Sequence, residues 1–284
     1  MRLGLLTNSL SHVGWDLEEI AEWSSHNGIK HLEVGPAVPL DPWLFERVQN
    51  KYDVKVCCLI YCRNFLSDDP EEANLHRQNL QERIRFAGQL GKDSLVVTST
   101  GRPQAVDLTT GLVRGIGPVV SFLEEMLELA EQHDVRLAIE NCPVMGNIAV
   151  SPHMYELIFE QIQNPRLGWA YDPSHLLFQF CDVYEPISTF GDRIYHFHAK
   201  DTFIDEQLLA QIGTVADQSW WHYCLPGKGQ IEWDRVLSRL QSIGYDGVIT
   251  IEHEDPHWSD TPERVTKGIL MAKEHLEKSL NYGG

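Results

Sequence analysis

The sequence is poor in positive charge and contains no long apolar run. Its 284 residues include 23 Lys and Arg against 41 Asp and Glu, which gives a formal net charge of −18. Such a chain repels the phosphate backbone of nucleic acids and anionic lipid surfaces, and no local run of basic residues offsets this repulsion. Its apolar runs are shorter than the ~20 residues that span a bilayer, and the start of the chain lacks the pattern of a signal peptide. We therefore expect a cytoplasmic protein with no nucleic acid and no membrane partner.

Cysteine is also sparse, and no two cysteines form a C-x-x-C pair. In a chain without a secretory signal, such cysteines are best interpreted as reduced thiols that mostly fill the core, so a disulfide-stabilised fold is not expected. The six residues are Cys57, Cys58, Cys62, Cys142, Cys181 and Cys224.

Short β-branched or aliphatic runs alternate with segments of helical period from one end of the chain to the other. This pattern is typical of repeated βα units. Eight strands are predicted at residues 2–6, 31–35, 54–61, 94–100, 136–142, 167–172, 194–201 and 247–253. Helices are predicted at 17–27, 42–50, 71–90, 112–133, 152–163, 174–190 (broken), 233–243 and 261–280.

Eight βα units without a Gly/Ser/Pro-rich linker predict one closed (β/α)8 TIM barrel that occupies residues 1–284 as a single domain. Local signals support the helices: Asp16 and Glu19 form a capping-box pattern, and Gly28 and Gly244 follow predicted helix ends. The alternative is a doubly wound open sheet, which would need a glycine-rich phosphate loop after an early strand. No G-x-G-x-x-G or G-x-x-x-x-G-K motif follows any predicted strand.

Polar residues at the carboxyl ends of the predicted strands mark the candidate active site, because TIM barrels place it there. Strands five to eight end in Glu140, Asp172, His198 and Glu252. Any one of them has an ordinary explanation, since Asp172 precedes Pro-Ser and fits a helix N-cap. Three buried carboxylates meeting in one region repel each other unless a cation lies between them. Oxygen donors with one imidazole suit Mn²⁺, Mg²⁺ or Co²⁺, so the four residues predict a divalent metal site with open positions.

At this point the chain resembles the xylose-isomerase-like superfamily, also described as sugar phosphate isomerases/epimerases. The matching stretches are LAIEN (137–141), YDPSH (171–175), HFHAKD (196–201), PGKGQIEW (226–233) and GYDGVITIEHED (244–255). Together with the eight strands, the resemblance covers nearly the whole chain. It implies that Glu140, Asp172, His198 and Glu252 bind one divalent metal, and that His175 touches substrate or metal.

Two differences from the sequence pattern of the family reduce the number of activities that we expect. Ketohexose epimerases carry a sugar-gripping arginine six positions after the metal-binding histidine, and Ile204 stands there in this chain. Ketohexose 3-epimerase activity itself is therefore doubtful. Abasic-site endonucleases in the same superfamily need further histidines at the ends of strands two to four, where this chain has Glu33, Tyr61-Cys62-Arg63 and Ser99-Thr100-Gly101. DNA repair is not expected.

The predicted reaction is proton transfer next to the carbonyl of a keto-sugar, with a metal ion stabilising the enediolate. Glu140 and Glu252 are the predicted catalytic acid and base, one for each face of the substrate. Three reactions use the same metal ion and at least one of these bases: epimerisation, aldose–ketose isomerisation, and elimination, as in an inosose dehydratase or a deglycosidase subunit. The sequence does not distinguish among them. A non-catalytic sugar-binding barrel is the remaining alternative. Mn²⁺ is the predicted metal, with Mg²⁺, Co²⁺ or Zn²⁺ as alternatives.

Further polar and aromatic residues near the barrel mouth are candidate substrate contacts. Lys200 neutralises the carboxylates, polarises a substrate hydroxyl or pairs with Asp201. Aromatic faces often orient carbohydrates, and the mouth has few cations to hold a phosphate, so we expect an unphosphorylated sugar. The candidate substrate-binding residues are His175, His196, Lys200, Glu33, His12, Trp15 and Trp221.

The connection at residues 202–230 is longer than ordinary loops of βα units and contains the aromatic run Ser-Trp-Trp-His-Tyr at 219–223. An aromatic run in a polar segment folds over something: the substrate, the barrel rim or a partner subunit. We predict a lid over the substrate. A subunit contact, in a homo-oligomer or with a partner subunit, is the alternative, as is packing on the rim.

Overall fold

The computed structural model describes residues 1–92, 94–103, 112–144 and 146–282. Its ten strands are β1 (Arg2–Leu6), β2 (His31–Val34), β3 (Lys55–Tyr61), β4 (Ser94–Thr98), β5 (Val135–Glu140), β6 (Leu167–Tyr171), β7 (Ile194–Ala199), β8 (Asp201–Ile204), β9 (Trp221–Cys224) and β10 (Val248–Ile251). Strands β1 to β7 and β10 form a closed parallel barrel, in which β1 pairs with both β2 and β10. The predicted (β/α)8 barrel is confirmed.

Helices follow the barrel strands. They are α1 (Asn8–Ser11), α2 (Leu17–His26), α3 (Pro42–Tyr52), α4 (Pro70–Leu90), α5 (Ile116–Gln132), α6 (Pro152–Gln161), α7 (Pro173–Leu177), α8 (Glu185–Thr189), α9 (Glu206–Ile212), α10 (Trp233–Ser242) and α11 (Pro262–Tyr282). The predicted break between residues 174 and 190 separates α7 from α8. Among the described residues, none of these helices combines the length and apolarity needed to cross a bilayer.

The local signals that predicted the helices are present in the structure. At the start of α2, the Asp16 side chain accepts a hydrogen bond from the Glu19 backbone, and the Glu19 side chain accepts one from the Asp16 backbone, both at 2.9 Å. Gly28 and Gly244 follow helix ends with φ of +73° and +74°. That left-handed backbone conformation favours glycine, because it has no Cβ. The chain therefore turns from helix to strand where the sequence predicts.

The hydrophobic core has two parts. A large layer between the barrel and the helices includes Tyr155 and Trp169, whose rings stack with centroids 3.7 Å apart. A smaller cluster fills the barrel interior and consists of Leu6, Cys58, Ile60, Cys62, Leu95, Val97, Ala138 and Ala170. All six cysteines are free, and three of them are buried, in agreement with the prediction of reduced thiols. The barrel interior is therefore apolar at these eight positions.

The long connection at 202–230 has more regular structure than the sequence indicates. It contains the antiparallel pair β8 and β9, with Thr202 opposite Tyr223, and α9 lies between the two strands. The buried Asp201 carboxylate anchors its far end by accepting hydrogen bonds from Gly227 N at 3.1 Å, Ile231 N at 3.1 Å and Trp233 Nε1 at 2.9 Å. The segment is therefore a hairpin fixed to the barrel, not an open loop.

Candidate metal centre and active site

The structure brings Glu140, Asp172, His198 and Glu252 together at the carboxyl ends of adjoining strands. Glu140 ends β5, Asp172 follows β6 as the N-cap of α7, His198 lies in β7 and Glu252 follows β10. One donor atom from each lies within 4.8 Å of the others, and all four side chains are buried. Donors on opposite sides of an octahedral divalent ion are about 4–5 Å apart, so this group, which we call the quartet, has the size of an ion site.

Positive side chains already lie among the carboxylates of the quartet. His198 Nδ1 lies 3.2 Å from Glu140 Oε1 and 3.3 Å from Glu252 Oε2. Lys200 Nζ lies 3.3 Å from Asp172 Oδ2, 3.0 Å from Glu252 Oε2 and 2.9 Å from a Glu254 oxygen. Lys200 therefore contacts three carboxylates and neutralises their charge, which is the first of its predicted roles. Asp201, the other predicted partner, instead binds backbone amides and Trp233.

Unsatisfied buried atoms at the quartet test whether a metal ion fits. Within the described residues, Asp172 Oδ2, Glu252 Oε2 and the neighbouring His175 Nε2 are buried and make no hydrogen bond of normal geometry, although Lys200 Nζ lies 3.3 Å and 3.0 Å from the two carboxylate oxygens. A buried polar atom without a well-formed hydrogen bond costs free energy, which coordination of a cation would recover. Two of these atoms are carboxylate oxygens of the quartet and can coordinate a hard cation. The quartet could therefore hold a divalent metal.

The two glutamates of the quartet differ in their pKa values. Burial raises the pKa of Glu140, but the His175 and His198 imidazoles beside it outweigh burial and hold it well below its ordinary value. Burial raises the pKa of Glu252 to about 7, an effect that the Lys200 charge opposes and the Glu254 charge reinforces. In the ion-free site Glu140 is therefore ionised, and Glu252 exchanges its proton near neutral pH.

Two cationic side chains at the quartet, His198 and Lys200, are held in their charged forms. Burial lowers the pKa of His198, but the carboxylates of Glu33, Glu252 and Glu140 outweigh burial and keep it well above the ordinary value. The same balance, with Glu252 and Glu254 as the main partners, raises the pKa of Lys200. A metal ion that coordinates His198 and Glu252 therefore has to displace protons from both residues.

This proton competition predicts that binding of Mn²⁺ strengthens as pH rises through about 7. Below that pH Glu252 and His198 hold protons that oppose the ion, and above it at least the Glu252 proton is gone. Calorimetric titration of Mn²⁺ at pH 7, repeated in two buffers of different ionisation enthalpy, should show proton release on binding. Titration of Y223F, which leaves the quartet intact, should show the same release. Binding without proton uptake or release would contradict the prediction.

Glu33 lies beneath the quartet inside the barrel and is fully buried. Its Oε2 accepts hydrogen bonds from His196 Nε2 at 2.8 Å and from His198 Nε2 at 3.0 Å, and Thr250 Oγ1 lies 3.0 Å from the same His196 nitrogen. Burial raises the pKa of Glu33, but the charges of His198 and His196 outweigh burial and hold it well below the ordinary value. Glu33 and His196, predicted as substrate contacts, therefore form a layer that orients His198.

Replacing Glu33 with Gln should weaken Mn²⁺ binding by about 10- to 100-fold, because partners that orient a metal-binding histidine contribute to affinity on that scale. The matched control is E254Q, which removes an equal charge that contacts Lys200 instead of His198. A calorimetric comparison of the two variants checks this. Equal losses in both would assign the effect to net charge and not to the orientation of His198.

A cavity of about 390 Å³ opens above the quartet. Glu140, His175, Lys200, Tyr223 and Glu252 are among the residues that line it. An adjoining cavity of about 580 Å³ shares Glu252 and Glu254 with the first. The two cavities together give access to the quartet from the carboxyl end of the barrel.

The predicted contacts from strand one divide between two places. His12 lines the adjoining cavity together with Glu252, and its Nδ1 lies 3.1 Å from the Asn8 carbonyl. Trp15 lines a separate cavity beside Leu44 and packs edge-on against Trp23 at 6.2 Å. Of the two, only His12 is thus brought near the quartet.

The comparisons with known proteins agree with this architecture. The model of the xylose isomerase-like TIM barrel family matches residues 16–275. The chain belongs to this family. A relative from Bacillus subtilis, the uncharacterized protein YfiH, is 25% identical over 99% of this chain and 100% of its own length. The inosose dehydratase of Clostridium perfringens is 20% identical over 87% of this chain and 86% of its own. A crystal structure of the IolI protein with a zinc atom has a TM-score of 0.77 at 20% identity and covers 100% of this chain and 99% of that one.

In this xylose isomerase-like barrel, the hairpin contributes Tyr223 to the cavity, a residue that the sequence analysis did not select. The Tyr223 hydroxyl lies 2.7 Å from His175 Nδ1, and Lys200 Nζ lies 4.7 Å from the centre of its ring. Trp221, the predicted contact, stacks on Phe178 with centroids 3.8 Å apart and supports Tyr223 from the side. Side chains alternate along a strand, so residues 221 and 223 share one face of β9, and this alternation could have indicated Tyr223 from the sequence.

The aromatic run therefore packs mainly on the barrel rim. Trp220 is buried and stacks on Phe180 at 5.7 Å, while Trp221 covers Phe178. Neither tryptophan is among the residues that line the two cavities at the quartet. The structure thus places the predicted lid tryptophans in the rim position that the sequence left as an alternative, and Tyr223 is the aromatic residue of this run that reaches the cavity.

Asn141 is a second site residue that the sequence analysis did not single out. Its side-chain oxygen accepts hydrogen bonds from Asp172 N at 2.9 Å and Trp169 Nε1 at 2.8 Å, and its amide donates to the Asp172 carbonyl at 2.8 Å. Asn141 therefore fixes the backbone of Asp172 from the neighbouring strand. Asn141 could have been predicted as a site residue because it directly follows Glu140 in the sequence. Cys62 likewise donates to Glu140 Oε2 at 3.3 Å.

Proposed function

We propose that this protein is a divalent-metal-dependent isomerase or epimerase of an unphosphorylated keto-sugar. The observation that supports it best is the convergence of the quartet, with buried oxygens of Asp172 and Glu252 that lack well-formed hydrogen bonds. Three carboxylates and one imidazole are the donors that Mn²⁺ takes in proteins, and Mg²⁺, Co²⁺ and Zn²⁺ accept the same set. The zinc atom in the IolI structure, which shares this fold, supports a divalent ion in a barrel of this kind.

The residues that would hold the ion are Glu140, Asp172, His198 through Nδ1, and Glu252. When bound, the ion supplies Lewis-acid stabilisation of the negative charge that develops on the substrate oxygen. Glu33 accepts from His198 Nε2 and so leaves Nδ1 facing the other three donors. Lys200 and Asn141 hold Glu252 and Asp172 in place.

The protein's own proton transfers begin at Glu252. In the ion-free site its pKa is about 7, and an ion that it coordinates would lower that pKa, so Glu252 would be ionised at neutral pH and available as a base. Glu252 removes the proton from the carbon next to the substrate carbonyl. Glu140 stands on β5, separated from β10 around the barrel by β6 and β7, and so approaches the substrate from a different side. Together the two glutamates can take a proton from one face and return one to the other.

Glu140 needs a proton before it can return one, and His175 is placed to supply it. His175 Nε2 lies 3.5 Å from Glu140 Oε1, while its Nδ1 lies 2.7 Å from the Tyr223 hydroxyl. Burial and the Lys200 charge lower the pKa of His175, but Asp172 and the other anionic groups nearby raise it well above the ordinary value. We infer that His175 passes a proton to Glu140 and that Tyr223 holds its ring.

Dehydration of a keto-sugar is the second candidate, and the His175–Tyr223 pair favours it. Elimination needs an acid for the departing hydroxyl, and a protonated His175 that lines the cavity can provide one. The inosose dehydratase relative, matched over most of both chains, supports this candidate. Both reactions begin with the same proton removal by Glu252.

Incubation with keto-sugars in D₂O tests the proposal and separates the candidates. The Mn²⁺-loaded protein should convert a keto-sugar and place deuterium on the carbon next to the carbonyl. An isomer with deuterium indicates isomerase or epimerase activity, whereas an unsaturated product indicates dehydration. Chelator-treated protein serves as the control and should be inactive. Product formed without deuterium would indicate hydride transfer and contradict the assigned roles of the glutamates.

A further inference from the structure

The amino ends of the barrel strands enclose a further cavity of about 510 Å³, at the opposite end of the barrel from the quartet. Its lining is rich in cationic residues. Arg2, His31 and Lys55 begin β1, β2 and β3, Arg136 is the second residue of β5, and Lys92 precedes β4. Among the described residues that line this cavity, none is acidic. In a chain of net charge −18, such a concentration of positive charge is unusual.

These cations also lack the partners that other cations in the protein have. Arg47 and Arg77, for example, lie 2.6 Å and 2.9 Å from glutamate oxygens. Within the described residues, Arg2, Lys55, Lys92 and Arg136 form no ion pair with a carboxylate; the Arg2 guanidinium donates to the Asp246 backbone carbonyl at 2.9 Å. Among the described residues of this cavity, the positive charges therefore have no carboxylate partner.

Arg136 is the best placed of these residues to bind a ligand. Its Nε atom is buried and makes no hydrogen bond in the described part of the chain, and its guanidinium lies 4.9 Å from the centre of the Tyr195 ring. A buried donor without an acceptor costs free energy that a bound anion would recover. The planar guanidinium, already oriented by Tyr195, offers two parallel donors to the oxygens of a phosphate.

His31, which also lines the cavity, lies in the positive electrostatic field of these cations. Burial lowers the pKa of His31, and the charges of Arg2 and Lys55 lower it further. The charges of these side chains therefore act on the same small volume at the mouth of the cavity.

We propose that this cavity binds a phosphorylated small molecule through its phosphate group. The cations supply the charge and the directed donors that a phosphate dianion needs, and the free hydrogen-bonding capacity of Arg136 lies among them. The volume falls within the about 300–1,000 Å³ of small-molecule sites and exceeds what the phosphate alone requires. Apolar residues of the lining, Val56 and Leu95, are available to the remainder of the molecule. This site is separate from the proposed sugar site and does not depend on the reaction proposed there.

Calorimetric titration of the purified protein with inorganic phosphate, glycerol 3-phosphate and glycerol tests the proposal. We expect one glycerol 3-phosphate per chain, weaker binding of inorganic phosphate and none of glycerol. R136Q and K55Q should each weaken binding about tenfold, which corresponds to one lost charge-assisted hydrogen bond. Lys55 is exposed, so K55Q should fold normally even if R136Q does not. The matched control is K228Q, which removes an exposed lysine from the opposite end of the barrel and should leave binding unchanged.

Several outcomes would overturn the proposal. One is the absence of glycerol 3-phosphate binding up to about 10 mM, since that affinity is too weak for a specific site. Another is an equal loss in K228Q and K55Q, which would indicate general attraction of anions. Binding that disappears after chelator treatment would place the phosphate on a metal ion at the quartet. Binding of inorganic phosphate but not of glycerol 3-phosphate would rule out a phosphate ester as the ligand.

Discussion

Replacing Glu252 with Gln should reduce turnover of a keto-sugar by about 100-fold or more while the barrel stays folded. Gln keeps the size of the side chain and an oxygen that can still coordinate an ion, but it cannot accept the substrate proton. Loss of a general base typically costs 10²- to 10⁴-fold in rate. The measurement is kcat for the Mn²⁺-loaded variant at saturating substrate, with ion content determined on the same sample.

The control for this prediction is E254Q. Glu254 contacts the same lysine as Glu252, but its side chain is about half exposed and it stands outside the quartet. Its replacement removes the same charge from the same neighbourhood and should change kcat far less. If E252Q retains normal turnover with its ion bound, Glu252 is a metal ligand or a structural residue and not the base, and another group must remove the proton.

Replacing Asp172 with Asn should abolish most of the thermal stabilisation that Mn²⁺ confers. An ion at 100 times its Kd stabilises the folded state by about 2.7 kcal/mol. For a chain of this size, each kcal/mol shifts Tm by about 2–4 °C, so the unmodified protein should gain roughly 5–10 °C. Asn keeps the oxygen that caps α7 by accepting from Ser174 N at 2.8 Å. The fold should therefore survive while the charged ligand is lost.

Melting curves with and without Mn²⁺ measure this effect as a difference within each variant, so any general change in stability cancels. E254Q, which preserves the quartet, should keep the ion-dependent shift. A D172N variant that gains as much stability from Mn²⁺ as the unmodified protein would show that the ion binds elsewhere. The other groups of Glu, His and Cys donors that lie close together, such as Glu140, Cys142 and His175, would then be the next candidates.

The electrostatics of the quartet explain why both predictions expect large effects. Three carboxylates, one lysine and one imidazole are buried together, and their opposite charges stabilise one another. Burial and Glu254 leave the pKa of Glu252 at about 7, so its charge changes near neutral pH in the ion-free site. An ion that it coordinates would keep Glu252 ionised and available to accept a proton. Changes at this residue alter charge, ion binding and proton transfer together.

The fold and the quartet could be predicted from the sequence because both follow from local rules. The periods of the apolar residues depend on neighbouring positions, and they indicated the eight strands of the barrel. In a parallel barrel the carboxyl ends of all strands lie at one end, so Glu140, Asp172, His198 and Glu252 could be placed together without knowledge of the structure. The strand ends themselves were predicted less well, since β7 stops at Ala199 and a new strand begins two residues later.

The contact partners of these residues were decided only by the tertiary structure. Lys200 pairs with Glu254, 54 residues further along, and not with the adjacent Asp201. Glu33 reaches across the barrel interior to His198, and no sequence pattern links β2 to β7. Tyr223 reaches the cavity because the hairpin folds back over α7.

The cavity at the amino ends of the strands shows most clearly what the sequence alone does not reveal. No run of basic residues is present in the sequence, so the acidic composition predicted a surface that repels anions. The fold places the starts of separate strands side by side and thereby gathers Arg2, Lys55, Lys92 and Arg136 around one cavity. Local periodicity determines which segments become strands, but contacts between distant segments depend on how the barrel closes. For that reason the sequence by itself determined the architecture and the four donors of the quartet, and the tertiary structure decided which charges meet.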